Sequence, residues 1–138
     1  MQDSMIGKTL TDIPGVFASG CHCGIKAKGL DLALIYLPGC SACAGVFTRN
    51  HFRAPCVEYS RKIMTQGCIK AIVANSGNAN AATGNEGMRN VQKTAALAAD
   101  RLALKPSEVA VASTGIIGKQ LPMQKIEAGL AKLLSEPK

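Results

Sequence analysis

Two segments in the second half of this sequence constrain the fold most. Each starts as a short apolar run and ends abruptly in small polar residues and glycines, and they are Val73–Gly84 and Ala112–Gly118. This pattern is typical of a buried strand that ends in a loop whose backbone comes close to another group. A helical pattern follows each segment, so we expect two strand ends and two helices to build one site.

Hydrophobic periodicity predicts how the rest of the chain is organised. A strand-rich first half and a strand-helix-strand-helix second half indicate one layered α/β domain covering residues 1–138. Pro122 opens the last helix and Thr83 has capping-box spacing with Glu86. The predicted strands are Phe17–Ile25, Asp31–Leu37, Ala42–Thr48, Ile69–Ala74 and Val109–Ala112, with a short run Cys56–Tyr59 leading into a helix Arg61–Gln66 capped by Ser60. The predicted helix stripes are Met88, Val91, Ala95, Ala98, Leu102 and Met123, Ile126, Leu130, Leu133, Leu134.

Composition excludes several classes of function. The net charge of +7 is spread along the chain, and there are no Trp and only five Phe or Tyr to stack on bases, so we expect no nucleic-acid partner. No apolar run reaches the roughly 18 residues of a membrane span. Met1–Lys8 lacks the basic-then-apolar order of a secretory signal. We therefore expect a cytoplasmic protein without a membrane partner.

Four of the six cysteines form two close pairs that superficially suggest zinc. They are Cys21 and Cys23, and Cys40 and Cys43. The Cys-x-Cys spacing is tighter than structural zinc sites use, and both pairs fall in predicted strands. Disulfides are not expected in a cytosolic chain. We predict no metal and interpret these cysteines, with the isolated Cys56 and Cys68, as small packing residues, and a metal or redox module stays the alternative.

The segment Ser113-Thr114-Gly115 is the strongest candidate for chemistry. A strand that ends this way presents backbone N–H groups and a hydroxyl at its carboxyl end, where α/β proteins usually bind ligands. Such donors can form an oxyanion hole for acyl transfer, although an ordinary turn has the same composition. The carboxamides of the Asn75–Asn80 loop can bind a substrate or simply shape a turn. His22 and His51 have no evident nucleophile partner, and His22 is interpreted as structural.

The sequences of six segments, and their order along the chain, resemble one family, the bifunctional glutamate N-acetyltransferase/ornithine acetyltransferases of arginine biosynthesis. The resemblance extends from about Ile13 to Leu134. The segments are Ser19–Lys26, Asp31–Ile35, Ala44–Asn50, Ala54–Pro55, Ser76–Asn80 and Ser113–Gly118.

This resemblance implies a layered αββα sandwich of the N-terminal nucleophile type, incomplete in this chain, which corresponds to most of the family's α chain. Family members cleave themselves before a threonine, which then leads the β chain, takes an acetyl group from N-acetylornithine and passes it to glutamate. Some members also use acetyl-CoA, and no resident cofactor is implied. Thr114 and Gly115 match the oxyanion-hole residues, and the complete enzyme is expected to be an α2β2 hetero-tetramer.

The resemblance also limits what this chain can do alone. The nucleophilic threonine and the remaining substrate-binding residues are expected beyond Lys138, in a β chain, so the isolated chain should be catalytically silent. The alternatives are a non-catalytic truncated chain and a cysteine-based metal or binding module.

Overall fold

The computed structural model describes Gly7 and residues 9–135, leaving out the side chains of Cys40 and Ser41. The prediction drawn from Met1–Lys8 therefore falls, apart from Gly7, outside the described residues. Four strands form one sheet in the order β1-β2-β3-β4. The strands are β1 (Phe17–Cys21), β2 (Leu32–Ala42), β3 (Cys68–Asn78) and β4 (Val109–Ile116), and the helices are α1 (Pro55–Met64), α2 (Gly84–Leu102) and α3 (Met123–Ser135).

The sheet is mixed, and its one parallel pair brings the two glycine-bearing segments together. β1 pairs with β2, and β2 with β3, in antiparallel fashion, whereas β3 and β4 are parallel. A parallel pair needs a crossover connection, and α2 provides it. The register sets Val73 opposite Val111 and Asn75 opposite Ser113. The predicted meeting of two strand ends is confirmed.

One face of the sheet is covered by α2 and α3, which confirms both predicted helix stripes. Val91, Ala95 and Ala98 of α2 are completely buried, as is Leu130 of α3, and Ile126 is only 1% exposed. They pack on Leu32, Leu34, Val73, Val109 and Val111 of the sheet. Burying each larger aliphatic side chain contributes roughly 1.5–3 kcal/mol, so this layer is the main source of stability.

Helix α3 packs tightly on the sheet at Gly129. A methyl group placed on Gly129 would lie 2.6 Å from Leu32 Cδ2 and 2.7 Å from Cys23 Cβ, distances too short for van der Waals contact. Leu32 is 1% exposed and has nowhere to move. The glycine therefore serves helix-to-sheet packing.

We expect Gly129→Val to lower the free energy of unfolding by about 2 kcal/mol, because overpacking a filled core typically costs 1–3 kcal/mol. Urea denaturation measures this loss. Ala128→Val is the matched control, since Ala128 is an exposed neighbour on the same helix. Equal effects of the two substitutions would contradict the packing role of Gly129.

The opposite face of the sheet is apolar but only partly covered. The register pairs Ala33 with Ala74 and Ile35 with Ile72, and all four residues are half-buried. Ala112, which pairs with Ala74, is exposed. Among the described residues no second sheet covers this face. The layered α/β fold is therefore confirmed: one sheet is present, α2 and α3 cover one of its faces, and α1 reaches the other through Ile63, which clusters with Ala110 and Ile72.

The structure corrects two local predictions in the first half of the chain. Residues 43–50 form no strand, because β2 continues through Pro38-Gly39 to Ala42 and the chain then leaves the sheet. Helix α1 begins at Pro55 rather than after Ser60, since proline at the first helical position is preorganised for a helix. Cys56–Tyr59 is thus helical, not a strand.

Ser60 lies inside α1 and does not cap a helix. Its side chain instead binds the backbone of the edge strand β4. Its hydroxyl donates to the Val111 carbonyl oxygen at 2.7 Å and accepts from the Val111 amide at 3.0 Å. β4 is an edge strand, so these bonds satisfy backbone groups that have no neighbouring strand.

Candidate functional site at the ends of the parallel strands

The candidate residues Thr114 and Gly115 lie near the end of β4. Both are exposed. The sequence predicts a strand that stops at Ala112, whereas β4 continues to Ile116 beside an equally extended β3. The boundary prediction is therefore wrong, because parallel pairing continues past the apolar runs and carries Ser113, Thr114 and Gly115 inside the strand.

The pairing becomes irregular at the candidate residues. Thr114 is registered with both Ser76 and Asn78, and the register shifts at Gly77/Asn78. Gly77 has φ +96° and Gly115 has φ +132°, conformations that favour glycine. A methyl group on Gly115 would lie 2.5 Å from the Asn78 nitrogen and closer still to the Gly77 carbonyl carbon. Two glycines thus allow the backbones to touch where the ladder is distorted.

The asparagine-rich loop is buried and bonded to its own protein. Asn75, Asn78 and Asn80 are 6%, 2% and 0% exposed. Asn75 Nδ2 donates to the Asn78 carbonyl at 2.8 Å, Asn78 Nδ2 to the Gln120 carbonyl at 3.0 Å, and Asn80 Nδ2 to the Gly87 carbonyl at 2.9 Å. These amide donors hold the strand ends and the start of α2, so the loop has a structural role rather than offering free carboxamides to a substrate.

Thr83 is the N-cap residue of α2, but its side chain belongs to the same network and makes no capping hydrogen bond. Its hydroxyl donates to Asn80, 3.0 Å from Oδ1 and 3.1 Å from the carbonyl oxygen. Gln120 completes the network, donating to the Thr83 carbonyl and accepting from Asn90 Nδ2. The predicted capping box is therefore wrong, because the threonine hydroxyl is taken up by the loop before the helix.

A second loop packs on the same strand end and is organised by Asp31. This carboxylate is 2% exposed and accepts amide hydrogen bonds from Cys23, Gly24 and Lys26 at 2.6, 3.1 and 2.9 Å. Burial alone would raise the pKa of Asp31, but the bonds from the amides of Cys23 and Lys26 outweigh it and hold that pKa below its ordinary range. The Lys26 side chain of this loop covers Gly77.

The nearby cysteines and histidine have structural roles. His22 Nδ1 lies 2.8 Å from the Gly29 carbonyl oxygen and 3.2 Å from Asp31 Oδ2, which agrees with the structural interpretation. Burial, followed by hydrogen bonding to Asp31, raises the pKa of the Cys23 thiol to about 12. Burial also raises the pKa of Cys21. Both thiols are therefore poor nucleophiles, since the thiolate is the reactive form.

Metal-ligating groups are not assembled in the part of the chain that the structure describes. Within residues 9–135 no three His, Cys, Asp or Glu side chains are placed to hold one ion, and the side chain of Cys40 lies outside this description. Cys21 and Cys56 are buried in the core, as predicted. Cys68 is disulfide-bonded, so the expectation that no disulfide forms is wrong for this residue.

None of the helices formed by residues 9–135 combines the length and apolar character needed to cross a bilayer.

The structural roles of Asp31 and Gln120, and the pairing of Asn75 with Ser113, were not predicted from the sequence. A signal existed for the pair, because each is the first polar residue after an apolar run, but their register depends on strand pairing. Gln120 had no signal, since it reaches Asn78 only through the chain's return after β4.

Comparisons with known proteins identify the family to which this sequence and fold belong. Residues 17–138 match the model of the ArgJ family. The chain is 46% identical to the arginine biosynthesis bifunctional protein ArgJ of Lactococcus lactis, covering 91% of this chain and 32% of that protein. It is 47% identical to a glutamate N-acetyltransferase of Methanothermobacter thermautotrophicus, covering 83% of this chain and 27% of that protein.

A solved structure gives the same picture. The crystal structure of ornithine acetyltransferase complexed with ornithine, from Mycobacterium tuberculosis, matches with a TM-score of 0.90 and 42% identity over 94% of this chain and 70% of that one. The chain thus spans about a third of the length of the curated relatives it matches. On its sequence and its fold alike, it belongs to the ArgJ family.

Proposed function

We propose that this chain is the α-side part of a glutamate/ornithine acetyltransferase of arginine biosynthesis, in the cytoplasm. It works with a β chain that carries the nucleophilic threonine, in an α2β2 assembly, and moves an acetyl group from N-acetylornithine to glutamate without a resident cofactor. Acetyl-CoA is a second candidate donor. Family membership carries this proposal, together with an exposed Thr114-Gly115 segment at a distorted strand end.

The chemistry assigned to Thr114 and Gly115 is stabilisation of an oxyanion. When a nucleophile attacks the acetyl carbonyl, negative charge develops on its oxygen, and donors already held in place lower the barrier. Both residues are exposed in this chain and can therefore face a substrate brought by a second chain. The attacking hydroxyl comes from the β-chain threonine, whose own amine acts as the base.

The half-covered apolar face of the sheet supports the assignment of a partner. Ile35, Ile72 and Ala74 are half-buried, and Ala112 is exposed two residues before Thr114. A second sheet packed on this face would complete an αββα sandwich and bring the β chain to the end of β4.

We expect Thr114→Ala to reduce kcat at least about a hundredfold in the assembled enzyme, because loss of one oxyanion donor typically costs 10²–10³ in kcat. The chain is co-expressed with a threonine-bearing β half, and acetyl transfer from N-acetylornithine to glutamate is measured. Unfolding should be nearly unchanged, since Thr114 is exposed. Thr65→Ala, at an exposed threonine after α1, is the control.

Two results would contradict the proposed function. One is undiminished transfer by the Thr114→Ala assembly. The other is an intact wild-type assembly, with a β half known to be competent, that transfers no acetyl group.

A further inference from the structure

We propose that Asn75 and Ser113 are positioning residues that hold the Thr114-Gly115 peptide in its working geometry. This inference rests on the proposed function, because it concerns the same peptide. The Ser113 hydroxyl donates to Asn75 Oδ1 at 2.7 Å, and Asn75 Nδ2 donates to the Asn78 carbonyl at 2.8 Å. One buried carboxamide therefore joins β4, just before Thr114, to β3 at the point where the register shifts.

These side-chain hydrogen bonds lie directly before the distorted part of the β3–β4 pairing. Asn75 and Ser113 are directly opposite in register, and Gly77 and Gly115 follow two residues later with positive φ. Beyond the glycines, the Ala79 amide donates to the Ile116 carbonyl at 2.9 Å. The distorted stretch is thus fixed on both sides, by a side-chain bridge before it and a backbone bond after it.

The bridge is needed because glycine does not hold a conformation by itself. Gly77 and Gly115 permit the close approach of the strands but have more accessible conformations than any other residue. Asn75 is 6% exposed, so its hydrogen bonds compete little with water. The asparagine bridge then decides which of these conformations the Thr114-Gly115 peptide adopts.

A misplaced donor weakens catalysis more than binding. Displacement of a catalytic group by about 1 Å can cost roughly a hundredfold in rate. In the co-expressed assembly we expect Ser113→Ala to lower kcat about 10- to 100-fold and to change KM by less than about twofold. Ser113→Thr keeps the hydroxyl and should restore most of the activity.

Ser60→Ala is the matched control for loss of a serine hydroxyl bound to β4. Ser60 bonds Val111, two residues before Ser113, and is 6% exposed. It should lower stability in urea without changing kcat. The second readout is the backbone order parameter of Thr114 and Gly115 in the 138-residue chain, which should fall from about 0.85 toward 0.6 in Ser113→Ala only.

Each outcome has a separate meaning. An active wild-type assembly with unchanged kcat in Ser113→Ala, or an equal fall in Ser60→Ala, would overturn the positioning role and leave the proposed function standing. An inactive wild-type assembly would remove the proposed function and with it the effect on catalysis. Unchanged order parameters in Ser113→Ala would then also overturn the structural part of the inference.

Discussion

Gly115→Ala is expected to lower the free energy of unfolding by about 4 kcal/mol and to abolish acetyl transfer in the assembled enzyme. Backbone strain at an unfavourable φ typically costs 1–3 kcal/mol, and overpacking adds a similar amount. Gly115 has φ +132°, and an added methyl group would collide with backbone atoms of Gly77 and Asn78, which cannot rotate away as a side chain can. Urea denaturation and the acetyl-transfer assay measure the two effects.

Gly118→Ala is the control that separates the cost of backbone strain at a positive φ from the cost of steric overlap by the added methyl group. Gly118 also has a positive φ, +79°, but an added methyl group would meet no atom within 4 Å. It should therefore show only the strain, about 1–2 kcal/mol. A loss for Gly115→Ala no larger than that for Gly118→Ala would rule out the backbone contact as the reason for glycine at position 115.

Asp31→Ala is the second substitution with a large expected effect, a loss of about 4 kcal/mol in the free energy of unfolding. It leaves three amides without their acceptor, and each buried unsatisfied donor costs about 1–3 kcal/mol. The amides belong to Cys23, Gly24 and Lys26, so we expect the loop that covers Gly77 to lose its order as well. Urea denaturation at neutral pH measures the loss.

The same carboxylate makes stability depend on acid pH. Its ordinary pKa is 3.8, and the pKa in the folded protein lies lower. As pH falls through this range the unfolded chain takes up a proton that the native protein does not, so stability falls. The contribution of Asp31 is complete above the ordinary pKa and is lost as pH falls through the folded value.

The difference in stability between wild type and Asp31→Asn should therefore shrink as pH falls below the ordinary pKa of Asp31. Glu108 has a lowered pKa too, caused by the Lys105 amide and by Lys70, but this contribution is common to both proteins and cancels. Asp100→Asn, at an exposed carboxylate on α2, is the control. A difference that does not change with pH would contradict the role assigned to the Asp31 charge.

Local patterns in the sequence were enough to predict the helices of the second half. Val91, Ala95 and Ala98 on α2, with Ile126 and Leu130 on α3, are spaced so that each helix must bury one stripe, and each does. The first half was harder to predict. Pro38-Gly39 is a turn signal, yet it lies within β2, where pairing with β3 is interrupted after Tyr36 and resumes at Ser41 opposite Ile69. Local preference does not anticipate this return to the sheet.

The sequence by itself determined the family, the α/β class and the two helix stripes, because motifs and hydrophobic periodicity are written in short stretches of the chain. Only the tertiary structure decided that Asn75 meets Ser113, that Gly77 touches Gly115 and that Gln120 and Asp31 support them. These contacts join residues about 40 positions apart, or fix loops from outside, and depend on the parallel register of β3 and β4. Helix α2 is the crossover between these two strands, and it brings residues that are distant in the sequence side by side, which no short stretch of sequence specifies.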